Sequence, residues 1–181
     1  MEAARTVSVF GSAAPRPGEP TWELALEAGR RLARAGCRVQ TGGYGGVMAA
    51  ASQGAREAGG HVIGVTSATI ERWRGGARAN PHVLEEIHCG TLRERICRLV
   101  ESCDGALVLP GGVGTLAELS LLWYFVMTGE VGPRPIVTVG DRWRAALAGF
   151  RDERFTEPAH EALVVAAGSV EEAVEALLAE L

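Results

Sequence analysis

The chain has 181 residues and a formal net charge of −4, and all 18 of its Lys+Arg positions are arginine. That length suits one α/β domain over residues 1–181, and the acidic balance argues against a broad nucleic-acid surface and hence against a nucleic-acid partner. The absence of lysine excludes both a pyridoxal-phosphate Schiff base and a Walker A loop.

Alternating and apolar runs divide the chain into strands and helices in strict succession. Thr6 to Phe10 reads as a first strand ending in Gly11-Ser12, and a Pro/Gly-rich loop then leads to a helix from Thr21 to Ala35 that Gly36 stops. Arg38 to Thr41 is a second strand, followed by Gly42-Gly43-Tyr44-Gly45-Gly46 and a helix from Val47 to Ala58. His61 to Thr66 and Val83 to His88 are the third and fourth strands, separated by an irregular stretch. A helix from Leu92 to Cys103 carries Leu92, Ile96, Leu99, Val100 and Cys103 on one face. A strand at Gly105 to Leu109 and an apolar helix at Leu116 to Met127 follow. A strand at Pro135 to Val139, a helix at Asp141 to Phe150, a strand at Leu163 to Ala166 and a last helix capped by Ser169 complete the pattern. Strands alternating with helices predict a Rossmann-like, doubly wound, mainly parallel sheet with helices on both faces.

Leu109 to Glu118 is the most informative segment, because a glycine turn between a buried strand and a helix presents unpaired backbone N–H groups to an anion. Thr115 and Glu118 have the spacing of a capping box, with Thr115 as N-cap, which alone explains those two residues. It does not explain Gly111, Gly112 and Gly114, which let a ligand approach the backbone closely at an entropic cost that a simple cap need not incur. The loop from Gly42 to Gly46 and the Gly11-Ser12 turn are expected along the same sheet edge, so the three together outline a nucleotide-sized crevice. Neither glycine loop fits GxGxxG followed by an acid, so a dinucleotide is not expected.

His61, His82, His88 and Cys89 form no recognisable zinc set, and no metal or cofactor is expected. The four cysteines show no CxxC pair and the chain starts without a leader-like segment, which suggests a reduced, cytoplasmic protein. The most apolar run, Leu119 to Met127, falls short of the roughly 20 residues of a membrane span. Trp123 to Met127 are consecutive apolar residues, so that helix is apolar all round and needs cover on a second side, most simply from a second copy in a homodimer or higher homo-oligomer.

Pro110 to Glu118 matches PGGxGTxxE at every fixed position, and Glu94-Arg95 precedes it on a helix; this combination resembles the Lonely Guy (LOG) family, often misnamed "possible lysine decarboxylase". Thr41 to Met48 is similar to the family's upstream glycine stretch, and Val9 to Ser12 to its first strand and turn. The resemblance implies hydrolysis of the N-glycosidic bond of a nucleoside 5′-monophosphate, AMP or a cytokinin ribotide, to free base and ribose 5-phosphate. It implies Arg95 and Glu118 as the essential pair, with Ser12, Gly42, Gly43, Gly45, Gly46, Met48, Gly111, Gly112, Gly114 and Thr115 around the substrate and its phosphate. It also implies a dimer, and a decarboxylase is not expected.

Two positions depart from the family pattern: Ile96 stands where a lysine is usual, and Tyr44 where a glycine is. Ile96 suits core packing, whereas Tyr44 either stacks on a base or covers the loop. The stretch Ser67 to Pro81, with Trp73 and three arginines, reads equally as a lid over the base or as an exposed loop. The rival reading is a non-catalytic binding module such as a molybdenum-cofactor carrier, which needs the anion cradle but no carboxylate aimed into it. A single-strand DNA binder of the DprA type shares the architecture but is disfavoured by the negative charge.

Overall fold

Residues 4–181 are described by a computed structural model in which seven strands form one parallel sheet of order β4-β3-β2-β1-β5-β6-β7. The strands are β1 (Thr6–Phe10), β2 (Arg38–Thr41), β3 (Val62–Ser67), β4 (Glu85–Cys89), β5 (Gly105–Val108), β6 (Ile136–Val139) and β7 (Val164–Ala167). The helices are α1 (Pro20–Arg34), α2 (Val47–Glu57), α3 (Ala68–Trp73), α4 (Leu92–Glu101), α5 (Val113–Thr128), α6 (Asp141–Phe150), α7 (Pro158–Glu161) and α8 (Val170–Ala179). The doubly wound class is as expected, since β2 to β4 run outward on one side of β1 and β5 to β7 on the other. Strand order therefore reverses at β1, and the C-terminal ends of β1 and β5 flank the switch point at which open α/β sheets bind ligands.

The two sheet faces carry separate cores. Val7, Val9, Val39 and Val62 meet Ala25, Ala28 and Leu32 of α1, Ala50, Ala51 and Ala55 of α2, and Val174 and Leu177 of α8. On the other face Phe10, Ile63 and Val65 meet Leu99 and Val100 of α4, Leu119 and Leu122 of α5, and Trp143 and Leu147 of α6. Alternate residues of β1 serve opposite faces, as a two-residue strand period requires.

A buried polar network locks α4 to the sheet. Ser8 Oγ donates to Leu99 O at 2.9 Å, and Gln40 Nε2 donates to Ser8 Oγ at 2.8 Å and to Leu99 O at 3.1 Å. Ser102 Oγ then donates to Gln40 Oε1 at 3.0 Å, so the polar groups of β1 and β2 are satisfied by the last turns of α4. Arg134 adds a cation at the same helix end, with Nη1 donating to Val100 O at 3.1 Å and to Glu101 O at 3.2 Å.

The stretch between β3 and β4 is not wholly irregular, for Ser67 Oγ accepts the Ile70 N–H at 3.3 Å and starts α3. The short α7 was also not expected. Helix α5 begins at Val113 rather than Leu116, so the anticipated Thr115–Glu118 capping box does not form: Gly112 is the N-cap, without a side-chain hydrogen bond. The capping box lies on α4, where Thr91 Oγ1 accepts the Glu94 N–H at 3.1 Å and Glu94 Oε2 accepts the Thr91 N–H at 3.3 Å. At Ser169 the expected cap is present, its side chain accepting the Glu172 N–H at 3.1 Å.

Helices α1 and α2 approach through glycine on both sides. A Cβ on Gly54 would lie 1.8 Å from Leu26 O, and one on Gly29 would lie 2.0 Å from Ala51 O. Backbone cannot yield as a flexible side chain does, so Gly54→Ala should destabilise the protein by about 1–3 kcal/mol, read as a lowered urea midpoint. Gly149→Ala on α6, where a Cβ meets nothing, is the control and should leave the midpoint unchanged or raise it.

Candidate active site

Helix α4 sets the position of Arg95. Its capping box fixes the first turn, and the buried face proves to be Arg95, Leu99 and Val100. The expected apolar stripe is corrected here, because Leu92 points outward at 44% exposure and Ile96 is only half-buried. At the level of the first turn the sheet edge offers carbonyl oxygens, which a guanidinium satisfies and a leucine would leave unpaired. Arg95 Nε donates to Val65 O at 2.8 Å and Nη2 donates to Gly42 O at 3.1 Å, with Met48 Sδ 3.9 Å from the same nitrogen.

Gly42 is dictated by that contact. A Cβ there would fall 1.9 Å from Arg95 Nη2 and 2.7 Å from Met48 Sδ. Tyr44 closes the other side, its ring centroid 5.6 Å from the guanidinium carbon in a cation–π arrangement. The Tyr44 hydroxyl accepts the Ser67 N–H at 2.9 Å and donates to Ser67 O at 3.2 Å. Tyr44 is itself buried, which removes the possibility that it stacks on a base; it covers the loop and the arginine. Burial pushes its phenol upward in pKa, the hydrogen bond to Ser67 acting against that.

Glu118 reaches the same point from the second turn of α5. Its Oε1 lies 3.7 Å from Arg95 Nη1, an ion pair too long to be a hydrogen bond, with the two side chains 13% and 8% exposed. Desolvation raises the Glu118 carboxyl to about 7, the Arg95 charge drawing it the other way without prevailing. Desolvation likewise lowers the pKa of Arg95, opposed chiefly by Glu118. This end of the sheet thus holds a carboxyl close to half-protonated at neutral pH beside a fixed guanidinium.

The glycine loops converge on this pair. Ser12 joins three segments, its N–H donating to Pro110 O at 3.1 Å and its carbonyl accepting the Val47 N–H at 2.8 Å. Ser12 Oγ accepts the Ala14 N–H at 3.1 Å, which gives the hydroxyl a structural partner. Gly46 is the N-cap of α2 at φ 64°, where a Cβ would strike Ser12 O at 2.4 Å. Gly43 has φ 77°, and a Cβ on Gly45 would stand 3.8 Å from Ala13 O, an ordinary contact. Gly111 packs on Thr115, whose Oγ1 would lie 2.2 Å from an added Cβ; Thr115 is accordingly buried in the third position of α5 and is not its cap.

Gly112 and Gly114 differ from these. An added Cβ at either meets nothing within 4 Å, and neither has positive φ. The first helical bond of α5 runs from Leu116 N–H to Gly112 O, so the N–H groups of Val113, Gly114 and Thr115 have no acceptor within the helix.

Asn80 belongs to the site's framework and has no signal in the sequence beyond its place in a turn. Its N–H donates to Gly43 O at 2.7 Å, and Nδ2 donates to Gly43 O at 3.0 Å and Tyr44 O at 3.1 Å. Trp73 is 73% exposed with Arg74 over its ring at 5.5 Å, so α3 places no aromatic against Arg95 or Glu118.

The SLOG cluster4 family model matches residues 4–126, from β1 to the last turns of α5. A protein of Mycobacterium tuberculosis named cytokinin riboside 5′-monophosphate phosphoribohydrolase is 34% identical over 94% of this chain and 92% of its own length. One of the same name from Rhodococcoides fascians is 30% identical over 96% of this chain and 89% of that one. Among solved structures, the molybdenum cofactor binding protein of Rippkaea orientalis superposes with a TM-score of 0.77 over 99% of this chain and 98% of that one, at 24% identity, a likeness of fold. With the matched region enclosing both Arg95 and Glu118, the chain belongs to the SLOG cluster4 family, and the Lonely Guy phosphoribohydrolases are its relatives.

Proposed function

We propose that the chain is a nucleoside 5′-monophosphate phosphoribohydrolase, which cleaves the bond between base and sugar of AMP or a cytokinin ribotide with water. The observation that carries this is the Arg95–Glu118 pair, buried and held 3.7 Å apart beside the open amides of α5. A carrier of an anionic cofactor has use for the amides and none for a carboxylate beside them. The likeness to the molybdenum cofactor binding protein, at 24% identity, supports the shared fold and adds nothing for a carrier.

In this reading the 5′-phosphate lies against the N–H groups of Gly112, Gly114 and Thr115, where the helix dipole adds to their donors. Gly42, Gly43, Gly45, Gly46, Met48, Ser12 and Gly111 shape the walls. As the C1′–N bond breaks, positive charge develops on the sugar and the Glu118 carboxylate stabilises it. Water forms the new C1′–O bond and gives a proton to Glu118, which can return it to the departing base; a carboxyl poised near 7 serves both steps at neutral pH. Arg95 is the positioning charge that keeps Glu118 partly ionised despite burial, its Nη1 facing the carboxylate at 3.7 Å.

Helix α5 leaves Val113 at 85%, Leu116 at 38% and Tyr124 at 57% exposure, an apolar face that supports the expected homodimer. The four cysteines are free, which suits a reducing, cytoplasmic setting, and the reading needs neither a cofactor nor a nucleic-acid partner.

Incubation with a panel of nucleoside monophosphates should release free base from at least one, and Glu118→Gln should lower kcat by roughly 100- to 1000-fold. Release of base at the wild-type rate by that variant would end the assignment. For the wild type, kcat/KM should rise with pH through about 7 as Glu118 ionises.

The same shift predicts a stability effect of opposite direction. Because the folded carboxyl holds its proton to about 7 against 4.5 unfolded, stability is lost as pH climbs between those values, by roughly 3 kcal/mol. Urea melts at pH 5 and pH 8 should show this difference in the wild type and not in Glu118→Gln.

Gly114→Ala, whose methyl group meets no protein atom inside α5, should leave the melting temperature unchanged or raise it, and Gly112→Ala at the N-cap should cost no more than about 1 kcal/mol, yet both should raise KM for the nucleotide at least about tenfold by obstructing the phosphate. Sedimentation at micromolar concentration should show a dimer, and a species of 19.0 kDa alone would refute it.

A further inference from the structure

The outer edge of the sheet holds a polar cluster that hydrolysis does not use. Glu86 and His88 are two residues apart on β4, so both side chains leave the same face of the strand. Glu71 reaches them from α3, and one ligand-capable atom from each of the three lies within 4.8 Å of the other two. His88 Nδ1 is 3.4 Å from Glu71 Oε1. Thr66 on β3 supplies a supporting hydroxyl: its Oγ1 donates to Glu86 Oε1 at 2.6 Å and lies 3.1 Å from His88 Nδ1. The cluster borders an open cavity of about 580 Å³ that Gly76 to Ala79 also line, with room for several waters.

Among the described residues the sole basic group within 4.0 Å of either carboxylate is the His88 ring. Arg78 lines the same cavity, but its guanidinium stays beyond ion-pair distance of Glu71 and Glu86. Two carboxylates and one imidazole around an open cavity are a donor set for a divalent first-row metal ion, and a hydroxyl already orienting one carboxylate is the kind of outer support such sites use.

We propose that Glu71, Glu86 and His88 form a binding site for a divalent transition-metal ion, of which Zn²⁺ is the representative. Metal–ligand bonds of about 2.0–2.2 Å need the three donor atoms slightly closer together than they stand. Rotation of the Glu71 side chain, on the short α3, supplies that contraction. The remaining coordination positions go to water from the cavity, and Thr66 continues to hold Glu86. Such an ion joins α3 to β4, and its effect reaches the crevice through a short path. Ser67, the N-cap of α3, grips the Tyr44 hydroxyl, and the Tyr44 ring covers Arg95. The ion is therefore a clamp on the segment that roofs the arginine, outside the reacting centre.

The three residues come from separate places in the chain, and Glu71 in particular has no spacing that links it to Glu86 and His88, which is why inspection of His and Cys spacing alone finds no metal set. This proposal stands on the cluster's own geometry and does not depend on the hydrolytic reading.

The test is calorimetric titration of the full chain, stripped with chelator, with Zn²⁺. Wild type should bind one ion per chain with Kd on the order of micromolar or below, and its melting temperature should rise on loading. His88→Ala and Glu71→Gln, both at positions outside the hydrophobic cores, should each weaken binding by roughly 100-fold and abolish the melting shift, while Cys89→Ser should change neither. Absence of binding at 100-fold above that concentration, on the order of 100 μM, would overturn the proposal. So would binding that survives both substitutions, or binding lost in Cys89→Ser.

Discussion

The structure turns on a buried guanidinium. Taking Arg95 out of water is costly unless its donors are met and its charge is faced by another, and losing one partner of such an arrangement leaves a larger penalty than the pair itself is worth. The fold meets this with backbone oxygens from two different strand ends, Val65 O and Gly42 O, and with the face of Tyr44. Each of those groups is in turn constrained: Gly42 because no Cβ fits beside Nη2, Tyr44 because its hydroxyl is tied to Ser67 on both donor and acceptor sides. Helix α4 cannot slide to relieve any of them while Leu99 O and Ser102 are bound into the Ser8–Gln40 network.

Rigidity on that side explains the state of Glu118. Arg95 is anchored through Nε and Nη2, so it is not free to swing toward the carboxylate, and Glu118 rides on α5, whose first turn is fixed by Gly111 packed against Thr115. The two meet at 3.7 Å, close enough for the positive charge to be felt and too far for a hydrogen bond that would fully stabilise the anion. Desolvation therefore outweighs the attraction, and the carboxyl is left near neutrality. A contact closer by an ångström would strengthen the pair and produce an inert salt bridge. The separation maintained by two stiff elements is what leaves proton-transfer chemistry available.

Much of the fold was legible because parallel strands buried on both faces announce themselves as short apolar runs, and each run here is punctuated by glycine. Thr6 to Phe10 and Arg38 to Thr41 coincide with β1 and β2, and Asp141 to Phe150 with α6. The orientation of α4 was not legible. Leu92 and Arg95 differ by three positions, and a helical pattern assigns the leucine inward; only the tertiary position of Val65 O and Gly42 O makes the arginine the better occupant. Thr115 was misread for a related reason, since a threonine followed by glutamate at the third position is a cap when exposed and a core contact when a glycine packs on it. Asn80 and the Glu71–Glu86–His88 cluster escape a linear reading altogether, because their partners lie on strand ends and loops that adjoin only once the sheet is assembled.

Glycine use separates what the fold requires from what it leaves open. At Gly11, Gly42, Gly46 and Gly111 the protein's own atoms occupy the space where a side chain would go, and substitution at those points is a packing question. At Gly112 and Gly114 there is no such occupant and no left-handed backbone; Gly112 stands at the N-cap, which accepts glycine, but at Gly114, inside the first turn of α5, alanine would better favour the helix. A residue that costs chain entropy without sparing a clash inside the molecule is explained by something that approaches from outside. The amides exposed at that point are donors, the helix end is the positive one, and Glu118 lies inward from them on the same helix. The proposed substrate, a sugar bearing an anionic group, is a visitor that would use all three features at once.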